Sequence, residues 1–295
     1  MKQLIWISFV LAASACSAPR SAVQAGSDLA GLGVGGDLAG AFTGDLSSTG
    51  CGGACAYTVY AHSDHVLYTI DVSTKMLVRV GPFLAPKAGT SEDVITDLAV
   101  APDDTIYAVS HTKLYTASPT DGHVTSVGSV TACGMDSVAL TTTPDGNLFA
   151  ADYKGAFCRI DLSTSPPTVK QLGTLGGGYA IAGDLVAVAD GTMYGSAYKP
   201  ADSSTANDNL LVKIDPATGA VVATQGPTHY PQLYGVAYAM GQVFGFTHDG
   251  SGDVVIIDPQ TGSGSLFNTF LDPATQKGIS FAGAGVNSMV APTIN

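Results

Sequence analysis

From Tyr57 to Phe270 short apolar runs alternate with clusters of Asp, Gly, Pro, Ser and Thr, and the alternation recurs in five copies. In each copy one apolar run, strand-like in its β-branched and aromatic content, is followed by a second that usually ends in Ile-Asp. The second runs are His65 to Asp71, Lys113 to Ser118, Ala156 to Asp161, Leu210 to Asp215 and Asp253 to Asp258. Four end in Asp, followed by Val72-Ser73-Thr74-Lys75, Leu162-Ser163-Thr164-Ser165, Pro216-Ala217-Thr218-Gly219 and Pro259-Gln260-Thr261-Gly262. An Asp side chain accepts from backbone amides two residues on, Pro presets φ, and Gly takes the left-handed corner, so each segment predicts a hairpin turn.

Third strands are predicted at Leu77 to Val80, Val124 to Val127, Val169 to Leu172, Val221 to Thr224 and Ser265 to Asn268. The first strands of the copies are Tyr57 to His62, Ile106 to His111, Leu148 to Tyr153, Met193 to Tyr198 and Val243 to His248. Runs rich in small residues begin at Asp97, Asp136, Asp184, Tyr234 and Phe281, and suit strands that converge on a narrow axis. Repeats of about 40 to 50 residues made only of strands and turns predict an all-β fold, a single β-propeller of five blades. The first copy lacks an innermost strand and the last innermost run lies near the C-terminus. Residues 279–286 are therefore expected to pair with the first blade and close the ring, which removes exposed sheet edges. Six blades is the alternative, with Ser288 to Pro292 as a surplus second strand of an incomplete sixth blade.

Composition agrees with this. The 295 residues include 36 Gly and 15 Pro, and the 24 acidic side chains are all Asp except Glu92, a chain built from turns rather than helices. The apolar share of 45% supports a large core. A formal charge of −12, more negative once Lys2 is removed, makes nucleic acid a poor partner.

The N-terminus carries an export signal. Lys2 precedes an apolar stretch from Leu4 to Ala12, and Ala13-Ser14-Ala15-Cys16 resembles a bacterial lipoprotein box, so residues 1–15 are expected to be removed and Cys16 lipidated. Ordinary secretory cleavage is the alternative. Ser17 after the cysteine implies sorting to an outer membrane, so the expected address is an outer-membrane lipoprotein or a periplasmic or surface protein. Membrane contact would come only through the lipid anchor. Residues 16–50, rich in Gly, Ala, Ser and Asp, read as a flexible tether ahead of a propeller domain at 51–295, expected to be a monomer. The remaining cysteines, Cys51, Cys55, Cys133 and Cys158, are even in number and suit an oxidising compartment. Of three connectivities, 51 with 55 and 133 with 158 is expected, because the latter two fall within one repeat.

Aligning the first strands places His62, His111, Tyr153, Tyr198 and His248 at one position. Positions i and i+4 of a strand share a face, so these rings are expected around the mouth of the channel, with Asp97, Asp136 and Asp184 on the same side. Phenols stack on sugars and aromatic ligands. The set therefore reads as a recognition mouth for a glycan, peptide or protein, with no enzymatic activity and no cofactor. It also admits a metal-dependent hydrolase that would hold calcium or zinc through Asp97, Asp136, Asp184 and His111. Capping of strand ends by half-buried rings would produce the same pattern. Gly176-Gly177-Gly178 precedes no helix, Gly-x-Ser-x-Gly does not occur, and Thr205 to Asn209 lacks the Gly and distal Glu of an EF-hand and reads as a solvated insertion.

Through Asp104-Thr-Ile-Tyr-Ala-Val109, Pro144-Asp-Gly-Asn-Leu-Phe149 and Ile214-Asp-Pro-Ala-Thr-Gly219 the chain resembles the bacterial secreted or lipid-anchored propellers of the YVTN/YncE-like group. That resemblance implies the fold over residues 56–292. Such families include binding scaffolds and, in related six-bladed folds, calcium-dependent lactonases and phosphotriesterases.

Overall fold

The computed structural model describes residues 58–85, 93–134 and 136–287. The leader, Cys16, the tether, Cys51, Cys55 and the run from Ser288 to Pro292 lie outside the described residues.

Twenty strands form five four-stranded antiparallel sheets, a five-bladed β-propeller. Blade two is β4 (Ile95–Val100), β5 (Ile106–Ser110), β6 (Lys113–Ala117) and β7 (Val124–Ser129). Blade three is β8 (Ser137–Thr142), β9 (Leu148–Asp152), β10 (Ala156–Asp161) and β11 (Thr168–Thr174). Blade four is β12 (Ala180–Ala187), β13 (Met193–Tyr198), β14 (Leu210–Ile214) and β15 (Val221–Pro227). Blade five is β16 (Leu233–Ala239), β17 (Gln242–Thr247), β18 (Asp253–Ile257) and β19 (Gly264–Thr269). Blade one takes β1 (Thr58–His62), β2 (Val66–Asp71) and β3 (Met76–Pro82) from the start of the domain, and its inner strand β20 (Gly283–Gly285) from the end. The closure pairs Tyr60 with Gly285, Ala61 with Ala284 and His62 with Gly283.

The turn chemistry is as the sequence predicts. Asp71, Asp161, Asp215 and Asp258 accept from the amides of Ser73, Ser163, Ala217 and Gln260 at 2.9, 2.9, 2.9 and 2.7 Å. Both faces of each blade are covered by a neighbour, so apolar side chains on either side of a strand are buried, and five separate clusters fill the five seams between blades. Gly81, Gly128, Gly173 and Gly226 occupy one register position in the outer strands, opposite Leu67, Leu114, Phe157 and Leu211. There the turn of the following blade comes so close, through Asp121 O, Pro167, Thr218 O and Thr261 O, that a Cβ has no room.

A second repeated device ties each of three blades to the linker that leads into it. In every blade the strand beside the outer one (β2, β6, β10, β14 and β18) carries a register shift, and the residue just after it is Tyr68, Tyr115, Cys158, Val212 or Val255. Tyr68 donates to Asp272 at 2.6 Å, Tyr115 donates to Asp93 at 2.9 Å, and Cys158 is disulfide-bonded to Cys133, the expected pairing. Val212 and Val255 are buried in the seams of the other two.

Thr205 to Asn209 is not a solvated insertion. A short helix, α1 (Ser203–Asn207), is capped by Asp202, whose carboxylate accepts from Ser204 N, and Thr205 and Asn209 are buried. Asn209 Oδ1 accepts from Leu233 N at 2.8 Å and Nδ2 donates to Thr205 O at 3.3 Å, which fixes the loop against blade five.

The disulfide closes a loop of sequence separation 25. Replacing both cysteines, Cys133→Ser with Cys158→Ser, is expected to lower unfolding stability by roughly 3 kcal/mol in urea titration. Tyr115→Phe, which leaves Asp93 without its phenol, is expected to cost about 1 to 2 kcal/mol.

Candidate functional site

The propeller axis is organised in three levels. At the base of the mouth, Leu98, Leu140, Leu185, Val236 and Ala284 are equivalent residues of the five inner strands, pairing with Ala108, Ala150, Gly195, Gly245 and Ala61. Their amides point to one place. Asp97 accepts from Leu98 N at 2.8 Å through Oδ1 and from Leu140 N at 2.6 Å through Oδ2. Asp184 accepts from Leu185 N at 2.5 Å through Oδ1, and its Oδ2 accepts from Val236 N at 2.6 Å and Ala284 N at 3.4 Å. Two carboxyl groups thus take one amide from every blade. The equivalent positions in the other three strands are Ala139, Gly235 and Gly283, which leave room for them, and a Cβ on Gly283 would overlap Asp97 Oδ1 and His62 Nε2.

Both Asp residues are fully buried and act on each other electrostatically, so two charges side by side are disfavoured and the pair holds protons more tightly than exposed carboxylates do. Burial pushes Asp184 up to about 8, opposed by its bonds to Asp97 and the amides, and pushes Asp97 well above the ordinary carboxylate range, reinforced by Asp184. His62 is also fully buried, with Nδ1 2.9 Å from Ser63 O and Nε2 4.0 Å from Asp97 Oδ1. Nε2 has no hydrogen-bond partner among the described residues, and burial lowers the imidazole to about 4.

Above this level lies a cavity of about 750 Å³. Its floor is the residue preceding the axial positions Asp97, Ala139, Asp184, Gly235 and Gly283: Thr96, Val138, Gly183, Tyr234 and Ala282. Its rim is Asp64, His111, Tyr153, Tyr198 and His248, each three residues beyond the first-strand residue that pairs with the amide ring. The sequence alignment therefore holds for four blades and is two residues out in blade one, where Asp64 takes the rim position and His62 sits below. An offset of two keeps the same strand face, so periodicity does not reveal it. The register is fixed by β20, which no local signal in blade one supplies.

The three expected carboxylates separate as well. Asp136 lies at the mouth, with its Oδ1 3.7 Å from His111 Nδ1 and both side chains part exposed, whereas Asp97 and Asp184 are below the floor. Asp136 precedes the axial position of its blade, Ala139, by three residues. Among the described residues no three His, Cys, Asp or Glu side chains gather as a metal-binding group. Tyr234 and Asn209, not singled out in the sequence, also line the cavity. Tyr234 stacks on His248 at 4.6 Å and 15°, and His248 Nδ1 lies 3.1 Å from Phe281 O. The signal for Tyr234 was its place at the head of an inner run where three of the other four begin with Asp.

No family model matches the chain, and no curated protein matches it. Among solved structures, a protein of unknown function from Bacteroides thetaiotaomicron is 18% identical, with 76% of this chain and 58% of that chain covered and a TM-score of 0.47. Another of unknown function, from Bacteroides caccae, is 10% identical over 72% of this chain and 71% of that one, with a TM-score of 0.40. Virginiamycin B lyase from Staphylococcus aureus is 10% identical over 76% and 70%, with a TM-score of 0.39.

The buried groups set the sign of the pH dependence. Asp97 and Asp184 hold protons more tightly folded than unfolded, so their contribution is full below about pH 4 and is lost as pH rises, for Asp184 through about 8. His62 acts oppositely, contributing fully above its ordinary value of 6.5 and losing that contribution as pH falls to about 4. Between pH 6.5 and 8 the carboxyl pair contributes a falling slope, and stability measured by chemical denaturation is expected to decrease across that interval, by at most about 1.4 kcal/mol per pH unit for one proton. Asp184→Asn is expected to flatten the fall.

Proposed function

We propose that this chain is an exported, lipid-anchored recognition propeller of the YVTN/YncE-like kind, without enzymatic activity, whose ligand enters the mouth cavity. The observation that carries the reading is the mouth itself. A concave space of about 750 Å³ is rimmed by Tyr153, Tyr198 and His248, floored in part by Tyr234 and underlain by the carboxyl pair, the form of a preformed binding site. Aromatic side chains at fixed places offer large contact area with little loss of rotamer freedom, suited to a glycan, peptide or protein ligand.

A metal-dependent hydrolase fits the same mouth less well. Two of its three carboxylates, Asp97 and Asp184, are already engaged by backbone amides below the floor, and Asp136 with His111 remains as a two-residue pair. Export and anchoring rest on the leader and Cys16, and the Cys133–Cys158 bond accords with an oxidising compartment.

Screening the full chain against arrays of neutral oligosaccharides and of peptides is expected to give hits that Tyr198→Ala with Tyr234→Ala weakens at least tenfold. Hydrolysis of lactones or phosphotriesters with added calcium or zinc, abolished by His111→Ala, would overturn the reading. Cys16→Ser is expected to move the chain from the membrane to the soluble fraction in cell fractionation.

A further inference from the structure

Resting on that reading of the mouth, we infer that the ligand group it takes is an organic ammonium cation. Charge is the first argument. Among the residues lining the cavity, Asp64 and Asp136 are carboxylates on two different blades, and none is Lys or Arg. The carboxyl pair lies immediately beneath the floor, and the whole chain carries −12. Such a concave, one-signed site draws cations and repels anions.

Hydrogen-bond accounting gives the second argument. A sugar needs donors as well as acceptors from its site. Two of the cavity's donors are already committed to the backbone: Thr96 Oγ1 donates to Val109 O and Ser137 O at 3.0 and 2.8 Å, and Asn209 Nδ2 to Thr205 O. The hydroxyls of Tyr153, Tyr198 and Tyr234, the histidines and Gln232 can still donate, while the two carboxylates and the π faces add what an ammonium group specifically needs.

The chain itself supplies a precedent. Lys154 Nζ lies 5.2 Å from the ring centroid of Tyr153, in the cavity wall, and its proton is held above the ordinary lysine range first by Tyr153 and then by Asp136 and Asp152. This exposed lysine occupies one face of one wall residue. Tyr198 and the Tyr234–His248 stack offer the same kind of surface to an incoming cation. The cavity is larger than a single ammonium head, so the head arrives on a longer molecule or side chain.

Calorimetric titration of the full chain with choline chloride and with its uncharged isostere, 3,3-dimethyl-1-butanol, tests the inference. Choline is expected to bind at least tenfold more tightly than the alcohol. Asp64→Asn with Asp136→Asn, and separately Tyr198→Ala, are expected to weaken it at least tenfold with unchanged circular dichroism. Lys154→Met, which uncovers Tyr153, is expected to strengthen it, a gain that misfolding does not produce. N-acetyl-lysine methylamide in the same titration separates a protein-borne ammonium, which it mimics, from a free one. Equal binding of choline and the alcohol, or choline binding that survives all these substitutions, would overturn the inference. If oligosaccharides bind in a Tyr198-dependent way and choline does not, the ammonium assignment falls while the recognition mouth stands.

Discussion

Five backbone N–H groups converge on the axis of this molecule, and the packing of the ring depends on satisfying them. A buried amide without a partner costs on the order of 1 to 3 kcal/mol, and five at one place would press the inner strands apart. Asp97 and Asp184 answer this with four carboxyl oxygen atoms, placed where Ala139, Gly235 and Gly283 give way. The arrangement joins blade two to three and blade four to both five and one, so it supplements the strand pairing of β20 with β1 in holding the circle closed. It also converts an open channel into a cup.

Much of the architecture was legible in the chain because it is written locally and repeatedly. Ile-Asp followed by a Pro, Thr or Gly turn marks a hairpin wherever it stands, and counting inner strands against first strands shows that one must come from the far end. The glycines of the outer strands were a signal available but unread: each stands near the end of an outer strand, and each is demanded by the turn of the next blade.

The site was legible only in part. His111, Tyr153, Tyr198 and His248 fall on the rim as strand periodicity requires. His62 does not, because blade one takes its register from residues more than 200 positions away. The roles of Asp97 and Asp184 were beyond local reading for the same reason: their partners run from Leu98 to Ala284, and only the closed ring brings these amides together. Asp136 resembles them in sequence and differs from them in everything that burial decides.

The joints between blades are not equal. Three blades are fastened to their incoming linkers, two by a phenol on a carboxylate and one covalently, while Val212 and Val255 occupy the same slot in blades four and five. Dispersion resists separation only at contact distance, whereas a covalent link holds at any extension that leaves it intact. Pulled outward, the torus would part first along the two seams that flank blade four, and the other four sheets would stay joined.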